Sequence, residues 1–137
     1  MDRLKDIVLN HDRCFVCGKK NPKSLGVIFV STDGVTTGDF TTSKDLESLG
    51  GITHGGILTT LMDAAMARWL YDRDIVAFTA VLKARFRMIV PPGKCLHLVS
   101  KRTGNRGRRH YMECKILNED RCEVASSEAV FYQLKER

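Results

Sequence analysis

The sequence predicts an α+β fold in which an antiparallel β-sheet wraps around one long central apolar helix. Two observations support this prediction. Residues 57–70 are apolar around almost the whole helical circumference, so a helix there must be enclosed by other elements. Segments typical of strands lie before and after it, separated by turn residues. A length of 137 residues with 43% hydrophobic residues fits one domain over residues 1–137.

The part of the chain before the helix divides into a segment and a hairpin. Residues 1–24, here called the N-terminal segment, are expected to cap the domain, and they end in a polar turn. Residues 25–31 and 35–41 predict two strands joined by a turn at Thr32-Asp33-Gly34. The charged start lacks the apolar run of a signal peptide, and no window is long and apolar enough to cross a membrane, so we expect a cytoplasmic protein.

The part of the chain after the helix predicts further strands. Residues 75–90 form a β-rich run that ends at Pro91-Pro92-Gly93, because proline cannot continue the pairing. The remaining strands are predicted at residues 95–103, 109–117 and 122–134, with turns at residues 104–107 and 118–121.

Asp63 is the only carboxylate in the apolar helix, and it needs an explanation. Burying an unpaired carboxylate costs several kcal/mol or forces the group to take up a proton. Asp63 is therefore either paired, for example with Thr59 one turn earlier, or used in chemistry.

A glycine-rich turn, residues 50–56, precedes the helix and contains Thr53 and His54. The first amides of a helix have no partner inside the helix, so this turn predicts a site for an anion or a developing oxyanion. With a carboxylate nearby, the chemistry indicated is attack on an acyl carbon. Gly55 and Asp63 lie about 12 Å apart along one helix, too far to act on one carbonyl. If both act, the chain must be an obligate dimer whose sites combine Gly55 of one chain with Asp63 of the other.

His54-Gly55-Gly56 followed by Asp63 resembles the motif of hotdog-fold thioesterases of the phenylacetate-pathway (PaaI-like) type. The resemblance extends along the chain to Cys14-Phe15-Val16-Cys17-Gly18 and to the closing strand at residues 123–132. It implies the hotdog fold, an acyl-CoA or related acyl thioester as substrate, no metal or other cofactor in catalysis, and a homodimer that can pair into a tetramer.

The resemblance also implies roles for single residues. Asp63 becomes the nucleophile or the general base for water, and the backbone N–H of Gly55 becomes the oxyanion donor. Gly56 permits close approach to the substrate. His54 either fixes the turn through its backbone hydrogen bonds or orients the thioester and assists the leaving thiolate.

The sequence departs from the fuller family pattern in two places. Ser48 stands near the position where many relatives carry Asn or Gln, and it offers one hydroxyl instead of an amide. Ala67 stands where some relatives carry a hydroxyl residue, so positioning of water or substrate is expected to fall to Thr60 or Thr79.

Two other functions compete with hydrolysis. A hydratase or dehydratase of the same fold would use His54 and Asp63 as acid and base. An acyl-CoA-binding sensor would keep the pocket and tolerate the loss of Asp63.

The net charge of +6 raises the question of nucleic acid. No recognisable nucleic-acid motif is present, so we expect no nucleic-acid partner. A basic rim that attracts the phosphates of CoA is the functional interpretation. Its candidates are the alternating row at positions 83, 85 and 87 and the cluster Lys101, Arg102, Arg106, Arg108 and Arg109, which can equally be a solvated surface.

His11, Cys14 and Cys17 have the spacing of zinc ligands, with Cys95, His97 or a partner chain as a fourth. A single CxxC pair is weak support for a metal site. We expect the two cysteines to be small buried hydrophobic residues that shape a loop over the acyl tunnel.

Overall fold

The computed structural model describes residues 10–135 and confirms the α+β fold, with one α-helix packed against a six-stranded antiparallel sheet. The predictions for residues 1–9 of the N-terminal segment lie outside the described residues. The elements are β1 (Phe29–Ser31), β2 (Thr36–Thr41), a short 3-10 turn (Lys44–Leu46), α1 (Gly55–Tyr71), β3 (Ala77–Phe86), β4 (Cys95–Arg106), β5 (Arg109–Leu117) and β6 (Glu123–Gln133).

The strands follow the order β1-β2-β4-β5-β6-β3 across the sheet. Strands β4, β5 and β6 form a meander in the middle, and β2 pairs with β4. The chain passes through α1 before β3, which then pairs with β6 at the far edge. The helix lies across one face of the sheet and contacts β4 and β3 most extensively.

One face of α1 forms the centre of the core. Leu61, Met62, Met66 and Leu70 are fully buried against sheet residues that include Phe131. The sheet of one chain covers one side of α1 and leaves Thr60, Asp63 and Ala67 partly exposed on the other side. No helix in residues 10–135 is long and apolar enough to cross a membrane.

Two strand boundaries differ from the sequence prediction for identifiable reasons. Strand β1 begins at Phe29 and not at residue 25, because the amides of Leu25 and Val27 donate to the N-terminal segment at Phe15 and Val16. Strand β4 continues to Arg106, and the reversal into β5 is the tight turn at residues 107–108, where Gly107 has a φ of 60°.

Candidate active site

The glycine turn delivers the chain to α1 with His54 as the N-cap residue. The imidazole Nδ1 of His54 accepts a hydrogen bond from the Gly56 N–H at 2.8 Å, and the His54 amide donates to the Leu46 carbonyl at 2.7 Å. These are the backbone bonds that the turn-fixing interpretation of His54 requires. A catalytic part for His54 stays a prediction.

Gly56 lacks a side chain where there is no room for one. A Cβ there would lie 2.9 Å from Nδ1 and 3.0 Å from Cε1 of His54. Its small size leaves space for the capping imidazole, and the close approach of Gly56 to the substrate stays a prediction.

Gly55, the first residue of α1, has a free backbone donor. Its N–H makes no hydrogen bond within residues 10–135. It borders an open pocket of about 300 Å³. The predicted substrate-binding residue Ser48 lines the same pocket, together with an apolar wall of Leu58, Phe86, Met88, Ile89 and Val90.

Thr53 is a residue of this pocket for which the sequence predicted no separate role. Its side chain is 3% exposed, and Oγ1 has no hydrogen-bond partner among the described residues. A buried hydroxyl without a partner costs roughly 1–3 kcal/mol. A polar residue within a glycine-rich turn was visible in the sequence, but its burial was not.

Asp63 faces the partly exposed side of α1 and bonds to Thr79 of β3. Thr79 Oγ1 donates to Asp63 Oδ1 at 2.6 Å. The alternative partner Thr59 instead donates to the Gly55 carbonyl, and Thr60 donates to the Gly56 carbonyl. Burial raises the pKa of Asp63, and the hydrogen bond from Thr79 opposes that shift. The result is a carboxylate more basic than an ordinary aspartate.

A bulge in β3 helps place Thr79. The pairing with β6 shifts register between Thr79 and Val81, so Ala80 is an extra residue in the strand. Such bulges redirect neighbouring side chains and are common beside active sites. Of the two hydroxyl residues predicted for positioning, Thr79 contacts Asp63 and Thr60 bonds only within the helix.

The predicted site residues fall into two groups within one chain. Gly55, His54, Gly56 and Ser48 gather at the helix start, and Asp63 does not line their pocket. Asp63 lies eight residues further along α1, which corresponds to about 12 Å.

The two groups of basic residues named from the sequence differ in their contacts. Lys83, Arg85 and Arg87 line one shallow surface depression beside β6, which confirms that they share a face. In the β4–β5 cluster, Arg102 lies over the Trp69 ring at 5.0 Å, and Lys101 pairs with Glu113 at 3.4 Å. Part of that cluster is therefore structural.

Comparison of the sequence with protein families gives a match over residues 50–125 to a model described as the thioesterase superfamily. The matched region covers the glycine turn, α1 and strands β3 to β5. Acyl-coenzyme A thioesterase THEM5 of Mus musculus is 32% identical over 91 residues, which are 66% of this chain and 37% of the mouse protein. The chain thus spans little more than a third of that relative's length.

Solved structures show the same fold. The Escherichia coli PaaI protein of the phenylacetic acid degradation operon has a TM-score of 0.81 at 18% identity, over 94% of this chain and 95% of PaaI. A hypothetical thioesterase from Streptococcus pneumoniae, solved with coenzyme A, has a TM-score of 0.75 at 15% identity, over 81% of this chain and 88% of that chain. The smu.793 protein of Streptococcus mutans, solved with acetyl CoA, has a TM-score of 0.75 at 17% identity, over 81% of this chain and 90% of that chain. At these identities the likeness establishes the hotdog fold.

Proposed function

This chain belongs to the thioesterase superfamily, and from that premise we propose that it hydrolyses an acyl-CoA, or a related acyl thioester, to a free acid and a thiol. The observation that carries the proposal is Asp63. It is the only acid within α1, it is half-buried, and Thr79 is its one hydrogen-bond partner among the described residues. The name of the mouse relative and the two structures with bound CoA or acetyl CoA support the substrate class.

Asp63 acts as general base or nucleophile. With Oδ1 held by Thr79, the second oxygen is free to take a proton from water while the water oxygen attacks the thioester carbon. In the alternative route the same oxygen attacks directly and forms an acyl-enzyme, which water then hydrolyses. In both routes the carbon–sulfur bond breaks, and the thiolate leaves and takes up a proton.

The Gly55 N–H holds the oxyanion that develops on the thioester oxygen. This amide is a free donor at the positive end of the helix dipole, and it borders a pocket with an apolar wall. His54 orients the turn, and Ser48 contacts the substrate at the rim.

The complete site forms between two chains, one giving Gly55 and the other Asp63. Strand β3 supports this homodimer because it lies at the edge of the sheet and exposes Phe78, Val81 and Phe86. A second copy that pairs along β3 would continue the sheet and satisfy the backbone groups of this edge. A dimer of dimers is compatible with this arrangement.

The phosphates of CoA bind the basic row of Lys83, Arg85 and Arg87. These side chains lie on β3 or directly after it and are exposed, so they attract an anion at little desolvation cost, although Arg87 also pairs with Glu123. The protein needs no nucleic-acid partner or catalytic metal in this scheme, and a cytoplasmic location stays a prediction of the sequence.

The test is release of free thiol from short, medium, long and aryl acyl-CoAs by the wild type and by Asp63→Asn. Asp72→Asn, at the end of the same helix, is the matched control. Turnover that disappears only in Asp63→Asn supports the proposal and names the acyl class. Tight acyl-CoA binding without turnover by any protein would favour the sensor, and water addition to an enoyl-CoA would favour the hydratase.

A further inference from the structure

Three side chains with metal-binding atoms converge in the N-terminal segment, away from the pocket at Gly55. One ligand atom from each of His11, Cys14 and Cys17 lies within 4.8 Å of the other two, and all three residues are half-buried. Two sulfurs and an imidazole nitrogen are ligands that Zn²⁺ prefers, and His-x-x-Cys-x-x-Cys places them on one tight turn. Small hydrophobic residues that only shape a loop would not require this convergence.

The backbone of the segment holds the two cysteines in place. The Cys14 amide donates to the His11 carbonyl at 3.0 Å, and the Gly18 amide donates to the Cys14 carbonyl at 2.8 Å. A Cβ at Gly18 would lie 2.5 Å from both the nitrogen and the oxygen of Cys14, so only glycine fits there. The Val16 amide donates to Cys14 Sγ at 3.4 Å, so this sulfur is also held by the backbone of the turn.

Groups on α1 orient the other two side chains. Arg68 Nη1 lies 3.5 Å from Cys17 Sγ, and Asp72 holds the same guanidinium at 2.7 Å. The His11 ring lies against Tyr71 with 5.3 Å between ring centroids. Outer contacts of this kind fix the orientation of metal ligands. These contacts also join the N-terminal segment to the C-terminal half of α1.

We propose that His11, Cys14 and Cys17 bind a zinc ion that fastens the N-terminal segment onto the C-terminal half of α1. Each thiol gives up its proton as a sulfur–zinc bond forms, so binding releases two protons and leaves a neutral centre with one Zn²⁺ and two thiolates. Residues 10–135 supply three ligands to this cluster, and water takes the fourth tetrahedral position. The other fourth ligands expected from the sequence, Cys95 and His97, lie outside the cluster on β4, where His97 contacts Asp39.

The role of this ion is structural. It does not touch Asp63 or Gly55, and the proposal does not depend on thioester hydrolysis. Since the ion binds the folded segment, zinc is expected to raise the thermal stability of the full chain.

The test uses Co²⁺ as a spectroscopic substitute for Zn²⁺, added to full-length protein that has been stripped with a chelator under reducing conditions. We expect one Co²⁺ per chain, a thiolate-to-cobalt charge-transfer band, tetrahedral ligand-field bands, and displacement by Zn²⁺. In Cys17→Ser the affinity should fall by at least about 100-fold, because loss of a direct ligand exceeds the effect of outer-shell changes. Cys122→Ser is the matched control, since that cysteine is exposed and outside the cluster, and it should bind as the wild type does.

A second measurement on the wild type avoids any folding defect of the variant. Bound Zn²⁺ should protect Cys14 and Cys17 from alkylation while Cys122 stays reactive, as read by mass spectrometry of peptides. The proposal is overturned by absence of a charge-transfer band, by equal binding in Cys17→Ser, or by alkylation of both cysteines in the presence of Zn²⁺. A disulfide between Cys14 and Cys17 that persists under the reducing conditions would also overturn it.

Discussion

The two ends of α1 carry very different polar groups. At the C-terminal end, Trp69 Nε1 donates to the Gly34 carbonyl at 3.0 Å, and the Tyr71 hydroxyl donates to the Ala77 carbonyl at 2.7 Å. At the N-terminal end, the Gly55 N–H and the Thr53 hydroxyl have no partner among residues 10–135. Unpaired polar groups cost stability, so the two ends of α1 differ in how fully their polar groups are satisfied among the described residues.

Two carboxylates, Asp72 at the C-terminal end and Asp63 in the middle of α1, show a similar contrast. Asp72 receives bonds on both oxygens, from Arg68 at 2.7 Å and from Ser31 at 2.5 Å. Asp63 receives one bond, from a neutral hydroxyl. Asp72 is therefore held on both oxygens, whereas Asp63 keeps one oxygen without a hydrogen bond among the described residues.

Asp63→Asn should produce the largest effect on turnover. It keeps an acceptor for Thr79 but removes the base or nucleophile, so kcat should fall by roughly 10²–10⁴-fold with KM little changed. Asp72→Asn should keep kcat within a few-fold of wild type. Thiol release at saturating acyl-CoA measures both values. Comparable kcat values in wild type and Asp63→Asn would remove Asp63 from the mechanism.

Gly55→Pro should have the next largest effect. Proline lacks the N–H, suits the first position of a helix, and follows His54 in an extended conformation that proline tolerates. Loss of one oxyanion donor should lower kcat by roughly 10²–10³-fold. Gly55→Ala is the control because it keeps the N–H, and its Cβ would contact the Phe86 ring at an ordinary 3.6 Å. Equal kcat in both variants, with circular dichroism unchanged, would argue against the amide as oxyanion donor.

Asp72→Asn should mainly change stability. The Arg68–Asp72 pair is partly buried and charge-assisted, so its loss should lower the free energy of unfolding by roughly 1–2 kcal/mol. Urea unfolding at neutral pH measures this change. If Asp72→Asn has the same free energy of unfolding as wild type, the Arg68–Asp72 pair does not stabilise the C-terminal end of α1.

The smallest effect is the stability change in Asp63→Asn. Burial raises the pKa of Asp63 in the folded state, so the folded chain binds more protons there than the unfolded chain. Stability therefore falls as pH rises through that window. Asparagine cannot ionise, so at neutral pH its Tm should exceed that of wild type by a few degrees at most, the scale of about 1 kcal/mol. The difference in Tm between Asp63→Asn and wild type should disappear as the pH falls below the ordinary aspartate pKa, because Asp63 is then protonated in both the folded and the unfolded chain. A lower Tm in Asp63→Asn would contradict the desolvation of Asp63.

Much of the fold could be predicted from the sequence because periodicity and turn residues act locally. Strand β5 begins and ends where the pattern placed it. The start of β1 could not be predicted, because residues 25–27 bond to a distant segment instead of to β2. The apolar circumference of α1 predicted its central position, but such a pattern does not say which chain covers each side.

The site was predictable in its residue types and less so in its contacts. Asp63 and Gly55 stood out as a charge in an apolar helix and a glycine at a helix start, and Thr79 was one of two candidates beside the acid. The burial of Thr53 depends on the packing of the loop before β4. Sequence spacing does not reveal such long-range contacts.

Subunit exchange between Asp63→Asn and Gly55→Pro tests the central claim most directly. The two inactive variants, once mixed and exchanged, should form mixed dimers with one intact composite site each, and random exchange should restore about one quarter of wild-type turnover. Mass-tagged chains prove the exchange. No recovery despite proven exchange would contradict a site shared between Gly55 of one chain and Asp63 of the other.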